Sequence, residues 1–494
     1  MIKALLPPLR GAVLAVAMTF DANGNAPLNF TFHDVGQARL WASATVNGAP
    51  LSGSSNAFVT RPAGLVLSGV AQTASPYRAN PAAASAADGA FVRAGEAFAA
   101  TITATTSSGA AAPNFGKEAS PEGVLLSPAL VLPAGGVSGS LANASIAGAS
   151  FSNGVASVNN LAWSEVGIVT LTPSLADADY LGTGPLIGTS SGNIGRFIPD
   201  HFLLTAGSTS PACSGAFSYF GQDGFGTSFS LRAEAVGNGQ TQNYSGAFAK
   251  LDVTSWAALG FSASGLPGGA SLAASSSPPT GAWVNGMASI SARHQVSRPA
   301  AAVAEANVTV RASPVDPDGV TMSSTPVAAA TPLRYGRLRL ANAFGNARSA
   351  LQLAVAAEYW SGNSWVLNSA DSCTSVPAAS VALSNPRTAA GASSAASSSA
   401  SAISLASGNG LLTLAAPSPA GSSLTLDLAI NLGSSGSDQS CNASHPASTG
   451  AGRPWLRALN GNCAATADRD PAARASFGVY SAESRKTVHV REIY

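Results

Sequence analysis

Charge is what this chain has least of. Of 494 residues only 10% are Asp, Glu, Lys or Arg, against about 25% in an ordinary soluble domain. Lys plus Arg (25) nearly cancels Asp plus Glu (24), for a formal net charge of +1. With no basic excess to track phosphates, a nucleic-acid binder is excluded. Histidine is scarce as well: His33, His201, His294, His445 and His489 are all there are. No two stand four residues apart and no HExxH occurs, so the helical zinc-hydrolase pattern is missing. No CxxC knuckle and no G-x-S-x-G nucleophile elbow accompanies them. Long apolar runs are lacking too, so no membrane-spanning helix is expected. The 51 glycines and 30 prolines, with few Glu and Lys, exclude a coiled coil. The 46% hydrophobic content excludes a disordered chain.

What is present suits about three domains of ordinary size. Four cysteines, Cys213, Cys373, Cys441 and Cys463, are an even, sparse set that fits two disulfides in an oxidising compartment. Cys441 and Cys463 are close enough in sequence to staple one loop, which would leave Cys213 and Cys373 to link two domains. Four cysteines allow three connectivities, and sequence does not choose among them. The opening MIKALLPPLRGAVLAVAMTF loosely resembles a signal peptide, but Pro7, Pro8 and Arg10 interrupt its apolar region. A strand is the stronger reading.

An internal repeat fixes the architecture. Phe151-Ser-Asn-Gly-Val-Ala-Ser-Val158 matches Trp283-Val-Asn-Gly-Met-Ala-Ser-Ile290. Upstream, Asn114-Phe115 pairs with Asn243-Tyr244, and downstream Asp177-Ala-Asp179 pairs with Asp316-Pro-Asp318. A partial third copy stands first: Phe32-His-Asp-Val-Gly36 matches Trp163-Ser-Glu-Val-Gly167. The chain therefore reads as starting in the middle of a repeat. Half a β-domain cannot bury its apolar face, so the expectation is that the protein extends upstream of Met1.

The units read as all-β. Short β-rich runs such as Phe98-Ala-Ala-Thr-Ile-Thr-Ala104 lie between Gly, Pro, Asn and Ser. Asn-Gly at 153–154 and 285–286 signals hairpin turns, since both residues accept positive φ. Tandem immunoglobulin-like β-sandwich repeats followed by a distinct β-rich C-terminal domain are expected. The expected bounds are a half unit at 1–60, sandwiches at 61–195 and 196–332, and the last domain at 333–494. The Ala/Ser-rich stretch 378–404 reads as a loop.

At Gly195-Arg-Phe-Ile-Pro-Asp-His-Phe202 the chain resembles the MshQ-like family of MSHA-pilus biogenesis proteins, whose C-terminal region carries a GRF-x-PDHF signature, and the resemblance covers most of the chain from about residue 20 to the end. Further matches run in family order, among them Phe217-Ser-Tyr-Phe-Gly-Gln222, Asn243-Tyr-Ser-Gly246, Tyr335-Gly-Arg-Leu-Arg-Leu340, Tyr359-Trp-Ser-Gly362, Asp371-Ser-Cys-Thr374 and Asp470-Pro-Ala-Ala-Arg-Ala-Ser-Phe-Gly478. The resemblance implies a secreted cell-surface component of a type IV pilus system, with pilins or other pilus-assembly proteins as partners. Larger relatives often carry a lectin-like domain upstream. No such domain lies in these 494 residues, so no sugar-binding role carries over from it.

Candidate sites are few. His201 beside Asp200 offers an acid–base pair, but no nucleophile motif joins it, and a structural role at the domain junction is the better reading. Asp316 and Asp318 are candidate calcium ligands, with Asp177 and Asp179 in the same place one copy earlier. Two carboxylates supply only part of the six to eight oxygens that calcium takes, and an Asp-rich turn alone accounts for them. Arg337 and Arg339 alternate on one strand face, a solvated face or a patch for an anionic partner. Trp360, Trp365 and Trp455 are candidate glycan-stacking residues. Trp360 and Trp365 flank a four-residue hairpin loop, where cross-strand packing is the competing role.

The expected function is non-enzymatic: a stalk of sandwiches with a docking or adhesion module at its C-terminal end, extracellular or periplasmic. A glycan-binding adhesin domain and a periplasmic or outer-membrane assembly factor are the alternatives. Calcium apart, no cofactor is expected.

Overall fold

The computed structural model describes residues 2–4, 14–213, 216–324, 330–459 and 468–478. Among them the fold is almost wholly β, and its only helical pieces are four single 3-10 turns.

Three sandwiches follow one another along the chain. In the first, Ala97–Thr105 lies between Gly64–Gln72 and Val155–Trp163 in one sheet, and Val124–Leu132 pairs with Gly167–Leu175 in the facing sheet. Ala97–Thr105 alternates inward and outward along its length, turning Phe98, Ala100, Ile102 and Ala104 to the core. That period of two is what a half-buried strand requires. Ile194–Phe197 closes the facing sheet against Gly167–Leu175, so the expected boundary at 195/196 cuts through a strand.

The second sandwich sets Asp223–Glu234 between His201–Ser210 and Met287–Val296. Its facing sheet holds Ser262–Ser264, Ala306–Arg311, Ala330–Arg334 and Ser218–Tyr219. The third sets Leu351–Trp360 between Gly336–Leu340 and Asn409–Leu414, against a sheet built on Leu424–Ile430 and Ala472–Phe477.

The residues before 61 pair only in twos: Ile2–Ala4 with Leu14–Val16, Gly36–Ala38 with Phe58–Thr60, and Trp41–Val46 with Ala49–Ser54. Phe20, Phe30, Trp41 and Leu51 are exposed there, while Val35 is buried in the core of the following sandwich.

The Asn-Gly turns form as read. Asn153 and Gly154 have φ of 52° and 80°, and Asn285 and Gly286 have 49° and 75°. A side chain at the second position would not fit: a Cβ at Gly154 would stand 2.3 Å from the Ala112 carbonyl, and one at Gly286 2.1 Å from that of Thr241.

The 378–404 stretch is not a loop throughout. Ala378–Ser380 makes a 3-10 turn, and Val381–Arg387 is a strand paired with Leu424–Ile430. Ala382 and Ser384 face the core. The strand reads Val-Ala-Leu-Ser, with the small Ala382 and Ser384 at its buried positions and the larger Val381 and Leu383 only half-buried. Ile403–Ser404 then pairs with Ser375–Val376.

Candidate functional site

Several of the chain's few charged residues stand where one unit meets the next. The first two junctions share one pattern. An acid stands immediately before a valine, and the valine is buried in the core of the following sandwich: Val35 after Asp34, and Val166 after Glu165. The acid reaches the same backbone turn each time. Asp34 Oδ1 accepts the N–H of Asn114 at 3.1 Å. Glu165 accepts the N–H of Gln242 at 2.8 Å and of Asn243 at 3.1 Å.

At the second junction the clasp is returned. Asn243 donates to the carbonyls of Val137 and Val166, at 2.9 and 3.0 Å, and accepts the Val137 N–H at 2.8 Å. Burial pushes the Glu165 carboxyl above its ordinary pKa, opposed by the N–H groups that converge on it. Behind each turn an aromatic pair locks the Asn-Gly hairpin: Phe115 on Phe151 and Tyr244 on Trp283, each at 4.8 Å and edge to face.

The same junction carries two ion networks. Arg196 spans to Asp318 with two bonds, at 2.7 and 2.5 Å, and both side chains are largely buried. His201 lies between two carboxylates, Asp200 on Nδ1 at 2.8 Å and Glu234 on Nε2 at 2.9 Å. Arg93 and Arg232 complete the set from either side. Neither ring nitrogen of His201 is left to move a substrate proton, so the Asp200–His201 pair is spent on the junction. Its partners are side chains of both units that meet at the junction.

Asp316 and Asp318 do not converge on a cation. Asp318 is taken by Arg196. Asp316 accepts the Tyr244 hydroxyl and the N–H groups of Asp318 and Val320, all at 2.9 Å. The calcium expectation is corrected accordingly: an Asp turn supplied the composition, and an arginine took the charge. Asp179 likewise turns its oxygens to the N–H groups of Gly182 and Gly184.

The junction between the last two sandwiches is built differently. After His201–Ser210 the chain rejoins the second sandwich through Ser218–Tyr219, which pairs with Ala330–Arg334. Phe220 stays in that sandwich's core and Ala212 packs against it, but three side chains of this arm cross over. Cys213, Phe217 and Tyr219 are buried in the core of the third sandwich. Cys213 is bonded to Cys373, with Cα atoms 5.3 Å apart. Beside that bond Asp371 accepts the hydroxyls of Tyr219 and Thr374, each at 2.7 Å.

Arginines interleave with rings around this seat. Arg334 lies over Phe217 and Tyr359, Arg337 over Trp365 and Arg298 over Tyr335. Glu305 holds Arg334 through Nε at 2.5 Å.

The candidate ligand residues are used by this joint. Trp360 and Trp365 face each other across their hairpin at 5.6 Å and pack on the core of the preceding sandwich. Trp455 packs on the third core, with Arg453 over its ring. All three stay partly exposed. Arg337 and Arg339 both bind Glu358, at 2.6 and 3.4 Å. Cys441 is disulfide-bonded, and Cys463 lies outside the described residues.

Two further groupings invite chemistry. Cys213, Asp371 and Cys373 stand close enough to hold a metal ion, but the two sulfurs are bonded to each other. Asp438, Ser440 and His445 resemble a triad in composition only. Ser440 and Asp438 share the same ring nitrogen of His445, Nδ1, at 3.0 Å each. A serine that is to be deprotonated must face the nitrogen opposite the one its carboxylate orients.

Sequence reading aligned Asp34 with Glu165, and Asn114 with Asn243, as repeat register alone. That each acid clasps the next unit's asparagine turn was legible in the pairing of those two columns. The seat of Phe217 and Tyr219 had no such signal.

The chain matches four family models in succession, the third of them starting at 165, inside the first sandwich. Residues 10–54 match the model of the Domain of unknown function (DUF6701), first Ig-like domain. Residues 61–161, 165–337 and 334–493 match its second, third and fourth domains. No curated protein matches. Among solved structures, the Escherichia coli adhesin FdeC is similar at 14% identity, with 73% of this chain and 93% of that chain covered and a TM-score of 0.31. An ICAM-5 D1–D4 ectodomain fragment is similar at 12% identity, with 81% and 80% covered and a TM-score of 0.24. Superpositions this loose fix no shared arrangement. Among the described residues, no helix is long and apolar enough to cross a membrane.

Proposed function

The chain belongs to the DUF6701 family of multi-domain proteins with an Ig-like first domain, and we propose that it is a non-enzymatic, load-bearing component of the cell surface, a jointed rod that presents an adhesion or docking module. One observation carries the reading: a quarter of the chain's scarce acidic residues are committed to the joints between units. Of 24 acidic residues, Asp34, Glu165, Asp200, Glu234, Glu305 and Asp318 clasp a neighbouring unit or complete a network that does. A protein selected for catalysis places such groups in a cleft with free donors and acceptors. Here they are paired across interfaces, where truncating one partner is costly.

The setting is a type IV pilus system, with pilins or assembly proteins as partners. That part rests on the motif resemblance alone. The disulfide fits an oxidising location outside the cytoplasm.

The test is protease shaving of intact cells, together with mass spectrometry of sheared pili. Peptides from 61–478 in both fractions support the surface-rod reading. Recovery only from periplasm or outer membrane, protected from protease, replaces it with an assembly factor. Recovery from the cytoplasm with Cys213 and Cys373 as thiols overturns it.

A further inference from the structure

The joint between the last two sandwiches is a latch held by one covalent bond. Cys213 is fully buried and Cys373 is partly exposed. Asp371 Oδ1 stands 3.7 Å from Cys213 Sγ and 3.5 Å from Cys373 Sγ. Four donors fix it there: the Tyr219 and Thr374 hydroxyls and the N–H groups of Cys373 and Thr374. The carboxyl group itself is fully buried, where little water screens it. Disulfides tolerate many apolar neighbours. A carboxylate against both sulfurs, held by its own set of donors, needs a reason.

We propose that Asp371 guards the Cys213–Cys373 bond against thiol exchange, which keeps the arm that carries Cys213, Phe217 and Tyr219 seated in the last sandwich when a dithiol is present. Exchange begins when a thiolate of the dithiol attacks a disulfide sulfur, and Cys373 is the accessible one. The S–S bond breaks, Cys213 leaves as a thiolate, and a mixed disulfide forms on Cys373. The second thiolate of the dithiol then displaces Cys373. Two electrons pass to the cysteines, the dithiol becomes its own disulfide, and its two protons end on Cys213 and Cys373. Negative charge must arrive at one sulfur and develop on the other, each within 3.7 Å of Asp371. A neighbouring anion opposes both events. The guard acts on exchange at the joint, and so stands or falls independently of where on the cell the protein works.

The experiment treats the full chain with dithiothreitol and counts alkylated Cys213 and Cys373 by peptide mass spectrometry over time. Asp371→Asn keeps the shape and an acceptor oxygen but removes the charge. It is expected to be reduced about tenfold faster or more, with a rate first order in dithiothreitol. Tyr219→Phe loosens the same seat but leaves the carboxylate, and is expected to stay within about threefold of the parent. Equal rates for Asp371→Asn and the parent overturn the proposal. So does equal acceleration by Tyr219→Phe, which would assign the protection to packing. A measurement on the parent chain alone covers the case in which Asp371→Asn does not fold. Cationic cysteamine should open the bond at least about tenfold faster than anionic 2-mercaptoethanesulfonate, relative to their ratio on a small neutral disulfide. An unchanged ratio overturns the guard.

Discussion

Replacing Phe217 by alanine separates two accounts of where the arm belongs. By sequence, and by its backbone pairing, Phe217 is part of the unit that starts near 198. By side-chain packing it is part of the core that starts near 336. The ring is 1% exposed, meets Tyr219 edge to face at 4.8 Å and lies under Arg334 at 4.9 Å. Truncating a buried phenylalanine costs about 3–5 kcal/mol. The cation–π contact falls within that figure and is not added to it. At about 2–4 °C per kcal/mol for units of this size, the melting transition that includes the last sandwich should fall by roughly 6–20 °C.

The assay is thermal unfolding of the full chain, with hydrogen exchange to assign the loss. Faster exchange should appear in Leu351–Trp360 and Leu424–Ile430, strands with no chain connection to position 217 closer than 130 residues. If the loss is confined to His201–Ser210 and Asp223–Glu234, the arm belongs to its own sandwich and the latch does not exist.

Arg196→Gln leaves Asp318 buried without its cation and should cost about 3–5 kcal/mol, seen as protease cutting between 190 and 200 before either sandwich melts. Gly286→Ala and Gly154→Ala should each lose about 2 kcal/mol or more, since their Cβ atoms would meet carbonyls at 2.1 and 2.3 Å. Gly182→Ala, at φ +81° with open space around it, should lose only about 1 kcal/mol in urea unfolding. His294 accepts the Trp256 indole N–H on Nδ1, and its Nε2 meets Thr227 at 2.8 Å. Burial lowers its pKa to about 4, so the unfolded chain takes up this proton first. Stability from this site is whole above about pH 6.5 and is lost on acidification at about 1.4 kcal/mol per pH unit until about pH 4. The difference between parent and His294→Gln in urea unfolding should show that slope, and a flat difference would refute it.

Much of the fold was legible because its signals are local. Period-two burial in Ala97–Thr105 and the Asn-Gly turns at 153 and 285 follow from side-chain sterics and backbone φ, which a few residues set by themselves. The repeat was legible because equivalent places need equivalent residues, down to an acid before valine at 34 and 165. The strand Val381–Arg387 was missed because its buried positions hold the small Ala382 and Ser384 and it sits at the start of an Ala/Ser-rich stretch.

The candidate sites were less legible, since a side chain's role depends on what faces it. Asp318 has the composition of a calcium turn, and only the approach of Arg196, 122 residues away in sequence, decides that it is an ion-pair partner. Trp360 and Trp365 could line a binding face or a joint, and the neighbouring core decides for the joint. The sequence alone determined the β-class, the turns and the register of the repeats. Tertiary structure decided which acid meets which donor, and that Cys213, Phe217 and Tyr219 fill a core other than their own. The physical reason is range: backbone preference acts over a few residues, while burial and charge pairing are settled by whichever distant segment closes the gap.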